Sequence, residues 1–253
     1  MPRYFLEVTY KGGAYSGFQK QANAITIQSE VEKALLILSK QSFELTTSSR
    51  TDAGVHALQN FFHFDADFEF DTSKKMYQLN AVLPKDIVVK KISEVSSDAH
   101  CRFDAQSRSY EYHLYQKKNP FLLDRSFYFP YQLNVEAMNE AASLLFSYYD
   151  FTSFSKRNTQ VKTFLCDVHK AKWKWLNDEL IFCITANRFL RGMVRGLTGT
   201  MLKVGRGIYS AEKIKEIIEA KDCRLADFSV PPQGLFLVNV SYPAHVWKHE
   251  RES

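Results

Sequence analysis

The chain has 253 residues, of which 45% are hydrophobic and 24% are charged, an ordinary globular composition with enough apolar side chains for a sizeable core. Its formal net charge of +5 is compatible with a nucleic-acid partner, but a mildly basic protein without such a partner has the same charge. No apolar run approaches the length needed to cross a bilayer, so we expect no membrane partner.

The first half of the chain alternates between strand and helix patterns. Arg3 to Tyr10 has apolar residues at every second position, which predicts a half-buried strand. Thr26 precedes apolar residues at helical spacing and predicts a capped helix. Further strands are predicted near Phe43 to Thr47, Leu58 to Phe64 and Ile87 to Ile92, with a short helix near Ser73 to Ala81. The order strand, helix, strand, strand, helix, strand is the split βαβ, or ferredoxin-like, pattern.

The second half repeats this order of elements without any repeat of individual residues. Strands are predicted at Ser107 to Tyr115, Cys166 to Trp175, Leu180 to Ala186 and Leu235 to Tyr242. Helices are predicted after Asn134, from Phe189 to about Val204, and after Ser210. We therefore predict an α+β fold of two ferredoxin-like βαββαβ halves, residues 1–103 and 104–253, whose mixed or antiparallel sheet surrounds a central cleft.

The four cysteines are far apart and form no CxxC pair. Cys166 and His169 have a ligand-like spacing, but no second pair completes a site, so we predict no bound metal. Scattered cysteines fit a reducing compartment, and the N-terminus has the pattern of a strand rather than a signal peptide. Both features predict a cytoplasmic protein.

One carboxylate, Asp52, lies in the stretch from Arg50 to Ala57 that joins two predicted strands. Gly54 follows it and indicates a tight turn at which the backbone can approach a ligand. An aspartate at a turn can equally serve only to order that turn, by accepting hydrogen bonds from backbone amides. Spacing alone favours this structural interpretation of Asp52.

Arg50 to Ala57 resembles the signature loop of the TruA family of tRNA pseudouridine synthases. The resemblance extends along nearly the whole chain, with further motifs in the order that the family has them. The similar segments are Tyr10 to Gln21, Arg102 to Tyr110, Asp150 to Phe154, Phe189 to Arg195 and Pro231 to Leu237. Phe18 stands where the family usually has tryptophan, and Leu58, Gln59 and Asn60 follow the loop where the family usually has glycine and glutamine.

The resemblance implies the pseudouridine synthase fold, a homodimer, no cofactor, and uridines of the tRNA anticodon stem-loop as the substrate. It implies that Asp52 is the catalytic carboxylate and that Arg195 and Arg50 support catalysis. It further implies that Tyr110 stacks on the target uracil and that Leu237 contacts the substrate.

For Arg195 and Tyr110 the sequence leaves a functional and a structural interpretation open. Arg195 is the cation expected to offset the desolvation of an ionised Asp52. We expect Arg191, one helical turn earlier, to project from the same helix face, although two solvent-exposed arginines would have the same spacing. Tyr110 alternates with other large residues along its predicted strand, as ordinary core tyrosines do.

Isomerisation of uridine breaks the N-glycosidic bond, turns the uracil, forms a carbon–carbon bond through C5 and releases the C5 proton. One carboxylate can act as a nucleophile or as a base. The sequence leaves open attack on the sugar, attack on the base, and abstraction of a sugar proton. Two other functions stay open. A catalytically silent relative that only binds tRNA would not need Asp52. A nucleosidase that acts on small molecules would not need the basic residues in the predicted loops, which suit contacts with RNA phosphates.

Overall fold

The computed structural model describes residues 1–67, 71–157 and 161–248. It divides into two compact units, one formed by Met1–Gln106 with Leu237–Ser253 and the other by Ser107–Phe236. The sequence-based division placed all of residues 104–253 in the second half, whereas the chain from Leu237 onward belongs to the first unit. The difference arises because the last strand hydrogen-bonds to a strand of the first unit.

The first unit has the βαββαβ order of elements that the sequence predicts. Its elements are β1 (Arg3–Tyr10), α1 (Ile27–Ser39), β2 (Thr46–Thr47), β3 (His56–Asp65), α2 (Thr72–Val82) and β4 (Ile87–Val95). β1 pairs antiparallel with both β3 and β4, and β2 pairs antiparallel with β3. β2 has only two residues and is shorter than the predicted strand.

The start of α1 shows how the local sequence determines an element. Thr26 Oγ1 accepts a hydrogen bond from the Ser29 N–H (3.1 Å), and Ser29 Oγ accepts one from the Thr26 N–H (2.9 Å). This reciprocal capping box satisfies two backbone donors that the first helical turn leaves unpaired. The apolar stripe of the helix, which includes Val31 and Leu35, is buried as predicted.

The second unit also combines helices with a mostly antiparallel arrangement of strands. Its elements are β5 (Ser107–Tyr115), β6 (Phe127–Tyr128), α3 (Val135–Leu144), β7 (Val168–Leu176), β8 (Glu179–Ala186), α4 (Met193–Gly205) and α5 (Lys213–Ala220). β8 pairs antiparallel with β5 and β7, whereas β6 pairs parallel with β5. The last strand, β9 (Leu235–Ser241), begins at the end of this unit in the sequence.

Helix α4 begins four residues later than predicted, at Met193 rather than Phe189. Gly192 has a φ of 77°, in the left-handed region, which is incompatible with continuing an α-helix through this residue. Phe189 and Arg191 therefore precede the helix, and the prediction that Arg191 and Arg195 share one helix face is wrong. Arg191 is exposed, whereas Arg195 is partly buried.

The predicted α+β class, with mixed but mostly antiparallel strand pairing, is confirmed. In the first unit α2 packs against β4, and in the second unit α3 packs against β7. Among the helices that the structure describes, none is both long enough and apolar enough to span a membrane.

Candidate active site

Asp52 lies in a tight turn between β2 and β3. The Val55 N–H donates to the Asp52 carbonyl oxygen (3.2 Å), and Gly54 has a φ of 79°, which this kind of turn requires at its third residue. The Asp52 side chain is half-buried. Its carboxylate accepts no hydrogen bond from the backbone of residues 50–56, all of which the structure describes. The carboxylate therefore does not order its own turn, contrary to the structural interpretation of this aspartate.

The turn is held instead by the N-terminal loop. The Gly12 N–H donates to His56 Nδ1 (3.0 Å), and the Phe18 N–H donates to the Thr51 carbonyl oxygen (3.1 Å). A Cβ atom on Gly17 would lie 3.1 Å from that same carbonyl oxygen, so only a glycine allows so close an approach without strain. The backbone of the N-terminal loop therefore holds the turn that carries the Asp52 carboxylate in place.

A buried polar network supports this arrangement and was not predicted from the sequence. Tyr10 Oη lies 2.7 Å from Thr51 Oγ1 in a hydrogen bond, and Asn60 Nδ2 donates to Tyr10 Oη (3.2 Å) and to the Ser49 carbonyl oxygen (2.9 Å). Asn60 is completely buried. Because buried amides need hydrogen-bond partners, an asparagine at an inward position of a predicted strand was the signal for such a network.

Arg50 is exposed and lies two residues before Asp52. It lines a pocket of about 220 Å³ together with His100, Arg102 and Phe103 of the same unit. The structure thus places Arg50 and Asp52 on one short segment, as the sequence predicts. Two further basic or aromatic groups of this pocket lie in the segment that resembles the family's second motif.

His63, His100 and Cys101 form the one cluster among the described residues with three metal-type ligand atoms within 4.8 Å of one another. Burial and the nearby Arg3 lower the pKa of His63 to about 4, so this ring is neutral at pH 7. Its Nδ1 accepts the Cys101 N–H (3.2 Å), and His100 Nδ1 accepts the Arg102 N–H (3.1 Å). Burial also lowers the pKa of His100 below its usual value of 6.5, so both rings are neutral at pH 7. In each ring the other nitrogen then holds the proton, which leaves no free lone pair for a metal. We therefore assign a hydrogen-bonding role to this cluster.

Tyr110 lies in the second unit, on β5 opposite Ile184 of β8. Its side chain is 9% exposed, and its ring packs edge-to-face against Phe189 with 5.1 Å between the ring centroids. This burial agrees with the interpretation of Tyr110 as a core residue, so its role in stacking on a base stays a prediction. The contact with Phe189 joins two of the motifs on which the family resemblance rests.

Arg195 lies on the first turns of α4 and is held by the backbone of a neighbouring segment. Its Nε donates to the Val230 carbonyl oxygen (2.8 Å). A Cβ on Gly196 would lie 2.7 Å from the ring of Phe228, so this glycine lets the segment containing Val230 approach the helix. Within the described part of the second unit, the Nη atoms of Arg195 make no hydrogen bond. The guanidinium is therefore anchored at one edge only, and its other edge can bind an anion.

Leu237 lies on β9 and its side chain is completely buried. Leucines at such positions pack in the core, so the predicted contact of Leu237 with the substrate stays a prediction. Of the predicted site residues, the structure places Asp52 and Arg50 together in the first unit, and Tyr110 and Arg195 in the second.

The model of a family described as tRNA pseudouridine synthase matches residues 7–104 and 141–243. These ranges include the Asp52 turn, the loop that holds it and helix α4. The chain therefore belongs to the tRNA pseudouridine synthase family, a family of isomerases.

Individual relatives are similar over nearly the whole chain. The tRNA pseudouridine synthase A of Parabacteroides distasonis is 46% identical, over 99% of this chain and 100% of its own. The protein of the same name from Bacteroides thetaiotaomicron is 43% identical, over 99% of this chain and 94% of its own. That of Staphylococcus saprophyticus is 35% identical, over 94% of this chain and 90% of its own.

Gly12→Ala should lower both stability and turnover, because a Cβ atom there would overlap the Val55 carbonyl oxygen of the Asp52 turn. Overpacking of this kind costs about 1–3 kcal/mol of unfolding free energy. For a chain of this size, each kcal/mol lowers the melting temperature by roughly 2–4 °C. Gly13→Ala is the matched control, because nothing lies within 4 Å of a Cβ at that position. Equal melting temperatures and single-turnover rates for the two variants would contradict this close packing.

Proposed function

We propose that this chain isomerises uridine to pseudouridine in the anticodon stem-loop of tRNA, with Asp52 as the catalytic carboxylate. The observation that carries the proposal is the environment of Asp52. Its side chain is half-buried, its carboxylate accepts no hydrogen bond from the backbone of its own turn, and the N-terminal loop holds that turn in place. Membership of the tRNA pseudouridine synthase family supports the reaction. The resemblance of Arg50 to Ala57 to the family's signature loop supports the assignment of the residue.

The reaction requires one group that reacts with the ribose or the uracil while the base changes its point of attachment from N1 to C5. An ionised carboxylate can add to the sugar, add to the base, or remove a sugar proton, and each route releases the base from its N-glycosidic bond. The base then turns and joins the sugar through C5, and the C5 proton leaves. Because no atoms are gained or lost and no electrons are transferred, Asp52 needs no redox partner.

The remaining predicted residues receive supporting roles. Arg195, anchored to the Val230 carbonyl oxygen, keeps Asp52 ionised when the substrate excludes water. Arg50 supports catalysis from the same turn. Tyr110 stacks on the target uracil, and Leu237 contacts the substrate from β9. The structural feature that supports the role of Arg195 is its guanidinium, which is hydrogen-bonded through Nε only and can bind an anion at its other edge.

We also propose that the enzyme acts in the cytoplasm as a homodimer, without a cofactor or a bound metal. The four cysteines are free thiols, as is usual in a reducing compartment. The homodimer rests on the resemblance to the family. The cofactor-free reaction rests on its chemistry, which a single carboxylate can perform.

The test is to incubate the purified protein with an unmodified tRNA transcript and to map pseudouridine chemically. We expect conversion within the anticodon stem-loop, unaffected by dialysis against a chelator once magnesium has been restored for tRNA folding. Binding without conversion would instead identify a silent tRNA-binding relative. Release of free uracil would identify a hydrolase, and conversion elsewhere in the tRNA would contradict the proposed position.

A further inference from the structure

Two asparagines, one in each unit, contact the outermost strand of that unit from its open side. β4 pairs with β1, and β7 pairs with β8. On their other sides the described part of the chain supplies no further strand, only a single bridge between Val95 and Trp247. An edge strand of this kind presents a row of backbone N–H and C=O groups with which a strand of another molecule can pair.

Each asparagine forms two hydrogen bonds with one residue of the edge strand. Asn80 of α2 donates from Nδ2 to the Val89 carbonyl oxygen (2.9 Å), and its Oδ1 accepts the Val89 N–H (2.8 Å). Asn139 of α3 makes the same two hydrogen bonds with Trp173 (3.1 and 2.8 Å). Two residues of an antiparallel pair exchange N–H···O bonds in this way, so each side-chain amide occupies the place of a residue of a further strand.

The helices that carry the asparagines pack against the edge strands, α2 against β4 and α3 against β7. Asn80 and Val89 are 9 residues apart in the sequence, whereas Asn139 and Trp173 are 34 residues apart. Two different local sequences therefore make the same contact. This is expected if the contact serves the edge strand rather than the turn or helix nearby.

β7 is the edge at which pairing with another molecule is most favoured. Trp175 and Leu176 are 49% and 52% exposed, and apolar side chains on an open edge strand promote association. Charged side chains oppose it, and β7 has exposed lysines at alternate positions, namely Lys170, Lys172 and Lys174. Asn139 adds a second barrier, because its amide occupies the N–H and C=O of Trp173 near the middle of the strand.

We propose that Asn80 and Asn139 keep β4 and β7 from pairing with the same strand of a second copy of this chain. Without the asparagine, two copies can place these edges antiparallel about a twofold axis, because each edge then offers the other complementary N–H and C=O groups. The homodimer proposed above would accordingly form through a different surface. The inference concerns assembly and does not depend on the proposed reaction.

The first experiment compares two substitutions in α3 by light scattering. Asn139→Ala uncovers the Trp173 backbone, so the particle mass should rise at least about twofold above that of the parent as the protein concentration increases. Asn134→Ala is the matched control, because Asn134 Oδ1 caps the same helix by accepting the Ala137 N–H (3.0 Å) and does not contact β7 through this bond. The control should keep the parent's mass at every concentration.

A second substitution tests whether backbone pairing causes the rise. The N–H groups of alternate residues point to the same side of a strand, so the Trp175 N–H, like that of Trp173, points away from β8. Proline lacks this N–H and is tolerated at such a position of an edge strand. Asn139→Ala combined with Trp175→Pro should therefore return to the parent's mass. Combination with Trp175→Ala, which removes the ring but keeps the N–H, should not.

Hydrogen exchange reports the same contact in dilute, unassembled protein. In Asn139→Ala the Trp173 amide hydrogen should exchange about 2- to 13-fold faster than in the parent, the factor expected for the loss of one hydrogen bond. In Asn134→Ala its exchange should stay closer to that of the parent.

The first unit provides an independent test. Asn80 is exposed, so Asn80→Ala removes no core packing, and it decides the matter if Asn139→Ala does not fold. Its mass should rise with concentration in the same way. Asp71→Ala removes the cap of α2, where Asp71 Oδ1 accepts the Lys74 N–H (3.0 Å), and should keep the parent's mass.

Three results would overturn the inference. A mass equal to the parent's for both asparagine variants would show that the edges stay unpaired without them. An equal rise in the two cap variants would assign the association to a loss of helix stability. A rise that Trp175→Pro does not reverse, or that Trp175→Ala reverses equally, would assign it to side-chain contacts.

Discussion

Asp52→Asn should abolish pseudouridine formation while leaving tRNA affinity almost unchanged. The amide has the shape of the carboxylate but can neither attack carbon nor take a proton at neutral pH. A single nucleophile or base of this kind contributes at least about 10²–10⁴-fold to a rate. Since the Asp52 carboxylate makes no hydrogen bond with its own turn, the substitution should also leave the melting temperature close to that of the parent.

A control separates this loss from a general effect of removing one negative charge. Asp178→Asn changes an exposed aspartate in the turn between β7 and β8. It should retain the parent's single-turnover rate, tRNA affinity and melting temperature. Turnover by Asp52→Asn above the background of a no-enzyme reaction would remove Asp52 from the mechanism.

Elements governed by local patterns were predicted well from the sequence. β1 and β5 have the predicted bounds, and within them apolar or aromatic residues recur at every second position from Tyr4 to Tyr10 and from Tyr110 to Leu114. The helices after Thr26 and Asn134 begin where predicted, because in each case the side chain of the capping residue accepts a hydrogen bond from the first helical turn.

Features that depend on distant contacts or on an unusual dihedral angle were not predicted. The predicted start of α4 was wrong because the apolar periodicity of the sequence continues across Gly192. The positive φ of Gly192, which the periodicity does not reveal, prevents the helix from extending further toward the N-terminus. The chain from Leu237 was placed in the second half because strand pairing over a long sequence separation leaves no local pattern. β6 has only two residues, too few to show any period.

In the candidate site, too, the locally encoded feature was predicted and the long-range contacts were not. The Asp52 turn was predicted because glycine and aspartate mark such turns directly in the sequence. What holds the turn was not, because the hydrogen bonds from Gly12 to His56 and from Asn60 to Tyr10 join residues far apart in the chain. The sequence predicts Asp52 as the candidate carboxylate, and the structure shows which hydrogen bonds hold its turn.

The second large effect is expected at Tyr110, whose ring and hydroxyl have separate proposed tasks. The ring packs against Phe189, and its proposed task is to stack on the target uracil, a contact worth about 1–3 kcal/mol. The hydroxyl, if it reaches C5, helps to remove the last proton. Tyr110→Phe keeps the ring and its contact with Phe189, so tRNA affinity should stay near that of the parent. The single-turnover rate should fall by about 10²–10⁴-fold, the usual contribution of such acid–base work.

Tyr110→Ala removes the ring as well, and should weaken tRNA binding in addition to lowering stability. Because the side chain is only 9% exposed, truncation should cost about 3–5 kcal/mol of unfolding free energy. Tyr115→Phe provides the matched control, since Tyr115 is a buried tyrosine on the same strand and has no proposed contact with the substrate. It should retain the parent's single-turnover rate. If Tyr110→Phe retains that rate too, while Tyr110→Ala loses only stability, then Tyr110 is a core residue and its hydroxyl has no part in the reaction.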